Sequence, residues 1–347
     1  MNAARRTIQR SERLPDLSRL LDLIAAFSRQ AVVVLGDFVV DEYVTGEISR
    51  VSREAPVLIL RHRQTEIVPG GGANAANNLA DLGARVLPVG AIGDDPAGRE
   101  LLAYFRRKRV EVSGIVTVRG WPTTTKTRFL ARWAHTARQQ VLRVDREPDV
   151  PPPPRALKEI ARKAHARLAK SNVMLVSDYG AGSVSPQLLK GLRWKIATLD
   201  SRYRLLDYRS ARFTAATPNE SEIEALYHTR IGTDRQKLEA LGQKTLRALG
   251  LQSLLVTRGK DGMMLFERSK PAYEIPVHGA ADAVDVTGAG DTVIAVITLA
   301  LAAGATFVEA AHLANYAGGI VVMKRGTATV TRAELEAAVR GEATSAR

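Results

Sequence analysis

The chain has 347 residues, 45% of them hydrophobic, with 50 Lys and Arg against 36 Asp and Glu and a formal net charge of +14. That length supports one large core with a smaller annex, and the absence of cysteine excludes disulfides and thiolate metal sites while suiting a reducing compartment. The positive charge is spread without a dense block or a nucleic-acid-binding signature, so it points to small anionic ligands and argues against nucleic acid as a partner.

The charged opening MNAARRTIQRSER leads into no apolar leader, so residues 1–30 are expected as an N-terminal extension closing on a helix, DLSRLLDLIAAFSR (16–29). AVVVLG (31–36) follows as a buried strand. EYVTGEI, VLILRHRQTEIV, TTKTRFLARW and QQVLRVD alternate polar and apolar residues, as in a sheet with one wet face. Between them NAANNLADLG (74–83) predicts a helix ending on Gly83, and RVLPVGAIG a second buried strand. PPPP at 151–154 reads as a stiff connector.

Beyond it the pattern alternates: the helix RALKEIARKAHARLAK, the strand NVMLVSD, the helix SPQLLKGL, the strands KIATLD and FTAATPN, the helices ESEIEALY and TDRQKLEALGQKTLRALG, and the strand SLLVT. Such alternation implies an α/β fold, a doubly wound and mostly parallel sheet flanked by helices. The polar end, 341–347, is expected to be a disordered tail. No apolar run reaches the roughly 18 residues of a membrane span, so no membrane partner and a cytoplasmic location are expected.

In doubly wound sheets ligands lie beyond the carboxyl ends of the strands. That rule selects Asp37, Asp41, Asp178, Asp200, Asn219, Thr257 and Gly259. The stretch DVTGAGDT (285–292) adds a glycine-rich bend before an apolar helix. The N–H groups of Gly288, Ala289 and Gly290 can cradle a phosphoryl group in transfer, with Asp291 accepting the proton of the attacking hydroxyl. It lacks the Lys of a P-loop, and on these eight residues alone Asp291 serves equally well as a helix cap.

PGGGANAANNLADLGARV (69–86) is a second glycine-rich turn, able to offer backbone and the Asn74 amide to a polyhydroxylated ligand; its spacing does not match a dinucleotide fingerprint. In GDFVVDEY (36–43), Asp41 can hold sugar hydroxyls by charge-assisted hydrogen bonds, or be a solvated turn residue. Asn219 and Glu222 in TPNESE have a spacing that suits a hydrated Mg²⁺ near phosphates, or a helix cap. His62, His135, His165, His228, His278 and His312 show no metal-ligand spacing. Trp121, Trp133 and Trp194 are expected in core or lid packing.

Together GGGANAANNLADLGA, TPNESE and DVTGAGDT, at these separations, resemble the ribokinase/PfkB-type carbohydrate kinases across about residues 30–340. LGDFVVDEYVTGEISRVSREAPVLIL, PTTTKTRFLARW with QQVLRVD, LVSDYGAG, and GDTVIAVITLALAAG through GGIVVMKRGTATV are similar to the D-glycero-β-D-manno-heptose-7-phosphate kinases. Those enzymes phosphorylate the anomeric hydroxyl on the route to ADP-heptose.

The resemblance implies a ribokinase-like domain over 31–340 with a discontinuous β lid, about 42–68 and 114–146. It implies ATP, Mg²⁺ and K⁺ as cofactors, a sugar or sugar-phosphate substrate, and a homodimer through the lid. Asp291 would be the base and Gly288, Ala289 and Gly290 the anion hole. Asp41, Gly71, Gly72 and Asn74 would hold the sugar, with Asp37 and Asp178, selected by strand position, and the cations Lys126, Arg128 and Arg143 beside the acceptor. Asn219, Thr257, Gly259, Gly262 and Asn315 would surround the nucleotide. Glu222 would act indirectly on Mg²⁺, and Asp285 and Thr287 on a monovalent cation.

The chain departs from the heptose branch at two strand ends. Ser201-Arg202 stands where that branch carries the end of Asp-Pro-Lys, and Ala181-Gly182 where it carries Lys before Gly. Arg202, Lys126, Arg128 and Arg143 are cations able to take over phosphate contacts. Fructose phosphate, ribose or a nucleoside thus stay open as acceptors, and so does a catalytically silent sugar-phosphate or nucleotide sensor. No second nucleotidyl-transfer segment is recognisable, so the activating step is expected in another chain.

Overall fold

AVVVLG forms β1 (Ala31–Gly36), with Val33 and Leu35 packed into one layer and Val32 and Val34 into the other. A strand covered on both faces needs such a continuous apolar run. The computed structural model describes residues 15–132, 138–279 and 283–341. Trp133, His135, the start of the N-terminal extension and the tail from 342 lie outside the described residues.

Around β1 the chain runs α1 (Leu17–Ala26), β2 (Phe38–Val51), β3 (Leu58–Gly71), α2 (Gly72–Asp81), β4 (Arg85–Gly93), α3 (Pro96–Arg107), β5 (Ile115–Val118), β6 (Thr125–Arg132) and β7 (Gln139–Arg146). There follow α4 (Pro154–Ser171), β8 (Val173–Asp178), β9 (Ile196–Ser201), β10 (Ala215–Ala216), α5 (Glu220–Leu226), α6 (Arg235–Leu249) and β11 (Ser253–Thr257). β12 (Met263–Glu267), β13 (Tyr273–Ile275), α7 (Ala289–Ala302), α8 (Phe307–Val321) and α9 (Arg332–Val339) complete it.

The large sheet has the order β13-β12-β11-β10-β9-β8-β1-β4-β5 and is parallel except for β12 and β13. From β1 the chain builds outward first through β4 and β5, then through β8 and its successors. The strand order therefore reverses between β1 and β8, and the crevice beyond their carboxyl ends is the expected ligand position. Two apolar cores, one on each face, hold α1, α2, α3, α7, α8 and α9 against one side and α4 and α6 against the other.

The second sheet, β3-β2-β6-β7, is the lid. β2 begins in the core at Phe38 and leaves it after Asp41, and β3 returns to Gly71 at the start of α2. Asp41, Tyr43 and Thr45 pair in parallel register with Lys126, Arg128 and Leu130, so all six lie on one face of the pleat. The lid thus spans β2, β3, β6 and β7; residues 115–118, expected within it, pair with β4 in the large sheet instead.

SPQLLKGL departs from expectation. It is a chain of turns that buries Leu189 and just buries Leu192. Pro186 and Gly191 leave too few residues between them to repay helix nucleation. Of the four prolines, Pro154 is the first residue of α4, where its missing N–H has no partner to lose. Trp121 donates to the Val150 carbonyl (2.9 Å) and Trp194 stacks on Phe213, both in packing roles. Among the described residues no helix is long and apolar enough to cross a membrane, and no group of three or more His, Asp or Glu side chains is placed to hold a metal.

Gly242 lies inside α6, where Ala would ordinarily be the better helix former. Here a Cβ would be driven into the Phe266 ring in β12. Gly242→Ala should therefore lower stability by about 1–3 kcal/mol in urea unfolding, reversing the sign expected from propensity.

Candidate active site

α7 is mostly apolar and buried on every side, Asp291 through Leu301 all lying in the interior. Its N-cap is Gly288 in the left-handed region (φ 80°), with no side-chain cap, so the first-turn N–H groups lack a side-chain acceptor. Asp291 is the third helical residue and does not cap the helix. Its carboxylate turns to two donors: Asn74 Nδ2 on Oδ2 (2.9 Å) and the Tyr179 hydroxyl on Oδ1 (2.8 Å). A Cβ built on Gly290 meets nothing within 4 Å, so the turn faces open space.

Burial pushes the Asp291 pKa up to about 7 against the pull of the Asn74 and Tyr179 hydrogen bonds; the Asp41 charge raises it and Lys126 lowers it. Burial, with the Asp291 and Asp200 charges, raises the Tyr179 phenol well above its usual value, so Tyr179 stays a donor. Lys126 Nζ lies over the Tyr179 ring, 5.5 Å from its centroid. Burial and the neighbouring Arg202 and Arg143 charges hold its pKa below the ordinary value.

The three glycines at 70–72 make this packing possible. A Cβ on Gly70 would come within 2.6 Å of the Asp41 carboxylate, and one on Gly72 within 2.9 Å of the Asp37 carbonyl. Gly71, at φ 52°, faces the Tyr179 ring, which a Cβ would approach to 3.1 Å. Asn74 is fully buried and also reaches the Gly288 carbonyl (3.4 Å), while Asn78 donates to its side-chain oxygen (3.2 Å).

Asp41 accepts from Arg128 on Oδ1 (2.5 Å), a largely buried ion pair, and from the Thr327 hydroxyl on Oδ2 (2.7 Å), one bond on each carboxylate oxygen. The Tyr43 hydroxyl receives the Thr327 N–H (3.0 Å). A cavity of about 440 Å³ opens beside this pair, between Tyr43, Thr45 and Arg128 of the lid and Thr287, Gly326 and Thr327.

Asp37 and Asp178, placed by strand position among the acceptor contacts, are committed to the protein. Asp37 accepts backbone N–H groups from Tyr179 (3.0 Å), Ala181 (3.0 Å) and Ser183 (2.8 Å). Burial and the Asp178 charge still raise its pKa to about 6. Asp178 takes Arg204 (2.7 Å), the Tyr208 hydroxyl (2.7 Å), Ser201 (3.2 Å) and the Gly180 N–H (3.0 Å). The two carboxylates fix the loop that presents Tyr179. Arg143 is likewise paired, with Asp145.

Of the residues expected around the nucleotide, Asn219, Thr257, Gly259 and Gly262 gather at the next strand ends and Asn315 lies on α8. Asn219 caps α5 in a reciprocal capping box with Glu222 and bridges to Thr257 at the end of β11. Gly259 and Gly262 form the tight turn between β11 and β12. Asn315 on α8 donates to the Pro276 carbonyl (2.9 Å). Glu222 is raised in pKa by burial, and Asp200 far more so, by burial and then the charges of Asp291, Glu222 and Asp178. Asp285 accepts the Thr287 and Gly326 N–H groups (both 2.9 Å); these bonds outweigh burial and keep its pKa low.

Tyr179 and Thr327 were not singled out by sequence reasoning, although both lie inside quoted segments, LVSDYGAG and GTATV. A hydroxyl at a strand end carries no periodic signal; only the fold reveals what it faces.

A model described as pfkB family carbohydrate kinase matches residues 29–140 and 198–334. The bifunctional proteins HldE of Desulfatibacillum aliphaticivorans and Geobacter sulfurreducens are 38% and 39% identical, over 92% and 87% of this chain. The chain spans 65% and 61% of their respective lengths. Among solved structures, Arabidopsis thaliana ribokinase complexed with ribose and ATP matches with a TM-score of 0.66 and 21% identity, over 90% of this chain and 98% of that one. Phosphofructokinase-2 from Escherichia coli in complex with fructose-6-phosphate matches with a TM-score of 0.67 and 16% identity, over the same 90% and 98%. The fold is ribokinase-like, and the chain belongs to the pfkB family of carbohydrate kinases.

Proposed function

We propose that this chain transfers the γ-phosphoryl group of ATP to the anomeric hydroxyl of D-glycero-β-D-manno-heptose 7-phosphate in the cytoplasm. The observation that carries the reading is the buried Asp291 carboxylate, poised near neutrality at the open N-terminus of α7. The similarity to the HldE proteins and the heptose-kinase segments supports the choice of sugar.

In the reaction the acceptor oxygen attacks the γ-phosphorus, its proton passes to Asp291, and the bond to the bridging oxygen breaks to release ADP. The N–H groups of Gly288 and Gly290 would face the transferring group as its charge spreads, while the Ala289 N–H, counted with them from the sequence, bonds to the Val286 carbonyl (3.2 Å). Asn74 and Tyr179 aim the carboxylate. Lys126, which has no ion-pair partner among the described residues and lies over the Tyr179 ring, would offer positive charge to the phosphates. Closure of the lid keeps water from competing with the sugar.

Mg²⁺ would neutralise the nucleotide phosphates. Asp200 and Glu222, both of which face the Arg202 charge, would hold its hydrating waters. A monovalent cation, K⁺, would sit by Asp285 and Thr287.

The lid also suits pairing with a second copy. Its edge strand β7 leaves Leu142 and Val144 about half exposed, on the face opposite Asp41. An unpaired edge with apolar side chains is a template for another strand. Leu142→Glu with Val144→Lys should convert a dimer to a monomer in sedimentation velocity.

Screening heptose 7-phosphate, fructose phosphates and ribose for ADP release should give the highest kcat/KM with the heptose phosphate; preference for ribose would overturn the sugar assignment. The kcat should rise with pH through about 7 as Asp291 loses its proton. Asp291→Asn should lower kcat by about 10³-fold or more while ATP binding by calorimetry stays near the parent value.

The raised pKa also has a stability sign. At pH 8 the folded parent carries a buried anion that the unfolded chain solvates, whereas at pH 4.5 folded Asp291 is protonated and neutral. Asp291→Asn should thus raise Tm at pH 8, with the gain fading toward pH 4.5 in scanning calorimetry.

A further inference from the structure

We infer that Tyr179 is a positioning residue for proton transfer, its hydroxyl fixing the Asp291 carboxylate in the orientation that receives the acceptor proton; this rests on the general-base reading of Asp291. The hydroxyl donates to Oδ1 at 2.8 Å while Asn74 donates to Oδ2 at 2.9 Å, so both oxygens are held from different elements. One lone pair on each oxygen remains for the substrate. With one donor gone, the carboxylate keeps a single tether and can rotate about its Cβ–Cγ bond.

Tyr179 is itself held on three sides. Its N–H bonds to Asp37, its ring fills the space that Gly71 leaves open, and Lys126 covers the ring. Asp37 accepts two further N–H groups from the same loop, at Ala181 and Ser183. A buried carboxylate that binds only backbone here has one evident task, which is to fix where Tyr179 points.

The charged groups facing Asp291 are Asp41 on β2, Lys126 on β6, and Asp200 at the end of β9, with Arg202 acting on Tyr179 and Asp200. All are retained when only the phenol oxygen is removed. A hydrogen bond to the carboxylate favours its charged form, so its loss moves the titration upward.

The test is Tyr179→Phe, which keeps the ring. Expected is a kcat loss of about 10- to 100-fold at pH 7, the size of one hydrogen bond to a charged group. The KM for ATP should stay within about twofold, and the acid limb of the kcat profile should move up by about one pH unit, so the deficit shrinks at pH 9. A kcat within about twofold of the parent, or a loss uniform across pH with the limb in place, would overturn the inference.

Replacing Tyr179 by difluorotyrosine, a stronger donor of nearly the same shape, provides a second measurement that does not depend on how well the Phe variant folds. The limb should then move down, and an unmoved limb counts against the role. Asp291→Asn run in parallel separates the two readings. An active Asp291→Asn sinks the base assignment, whereas an inactive one beside an unperturbed Tyr179→Phe sinks only the role of Tyr179.

Discussion

A carboxylate taken out of water costs several kcal/mol unless hydrogen bonds replace the solvent it lost. Asp291 is 3% exposed, and the elements around the crevice are arranged so that this cost is only partly offset. Asn74 comes from α2, Tyr179 from the loop after β8, and the carboxylate from α7. Each donor has its own support: Asn78 braces Asn74 and is met in turn by Thr292, while Asp37 braces the Tyr179 loop. Full compensation would leave a stable anion with little appetite for a proton. No compensation would leave a neutral acid at pH 7. Two donors hold the group between these limits, where a general base is most effective.

The same constraint explains three consecutive glycines at the turn from β3 to α2. Three groups must approach one stretch of backbone: the Asp41 carboxylate, the Tyr179 ring and the Asp37 carbonyl. Any Cβ at these positions would displace one of them. A glycine-rich turn before a helix is commonly read as a place where backbone meets ligand. Here it is a place where the missing Cβ atoms let Asp41, Tyr179 and the Asp37 backbone converge.

Much of the architecture is legible because it follows from periodicity. The β-branched run at 31–36, the alternation in the lid strands and the helix at 235–249 each answer to a burial pattern repeated over several residues. SPQLLKGL fails because its apolar residues suit a helix while Pro186 and Gly191 deny it length. The strand-end carboxylates are also legible as a set, since the doubly wound rule fixes where such residues gather. Their individual duties are not. Asp37, Asp41 and Asp178 look alike in sequence. Only the third dimension shows that Asp37 meets three amides and Asp178 an Arg and two hydroxyls, whereas Asp41 pairs with Arg128 and Thr327. Asn219 and Glu222 are a further case, for the spacing that suits a metal shell also suits the capping box they form.

The lid and the phosphate turn are joined by a short covalent and hydrogen-bonded path. Asp41 and Tyr43 in the lid bind Thr327; the neighbouring Gly326 binds Asp285; Asp285 binds Thr287, one residue before Gly288. The Thr327 methyl lies 3.2 Å from where a Gly288 Cβ would be. The lid strand is therefore tied through Thr327 and Asp285 to the loop that leads into the Gly288 turn. Such a linkage makes the placement of the glycine turn depend on the position of the lid strand.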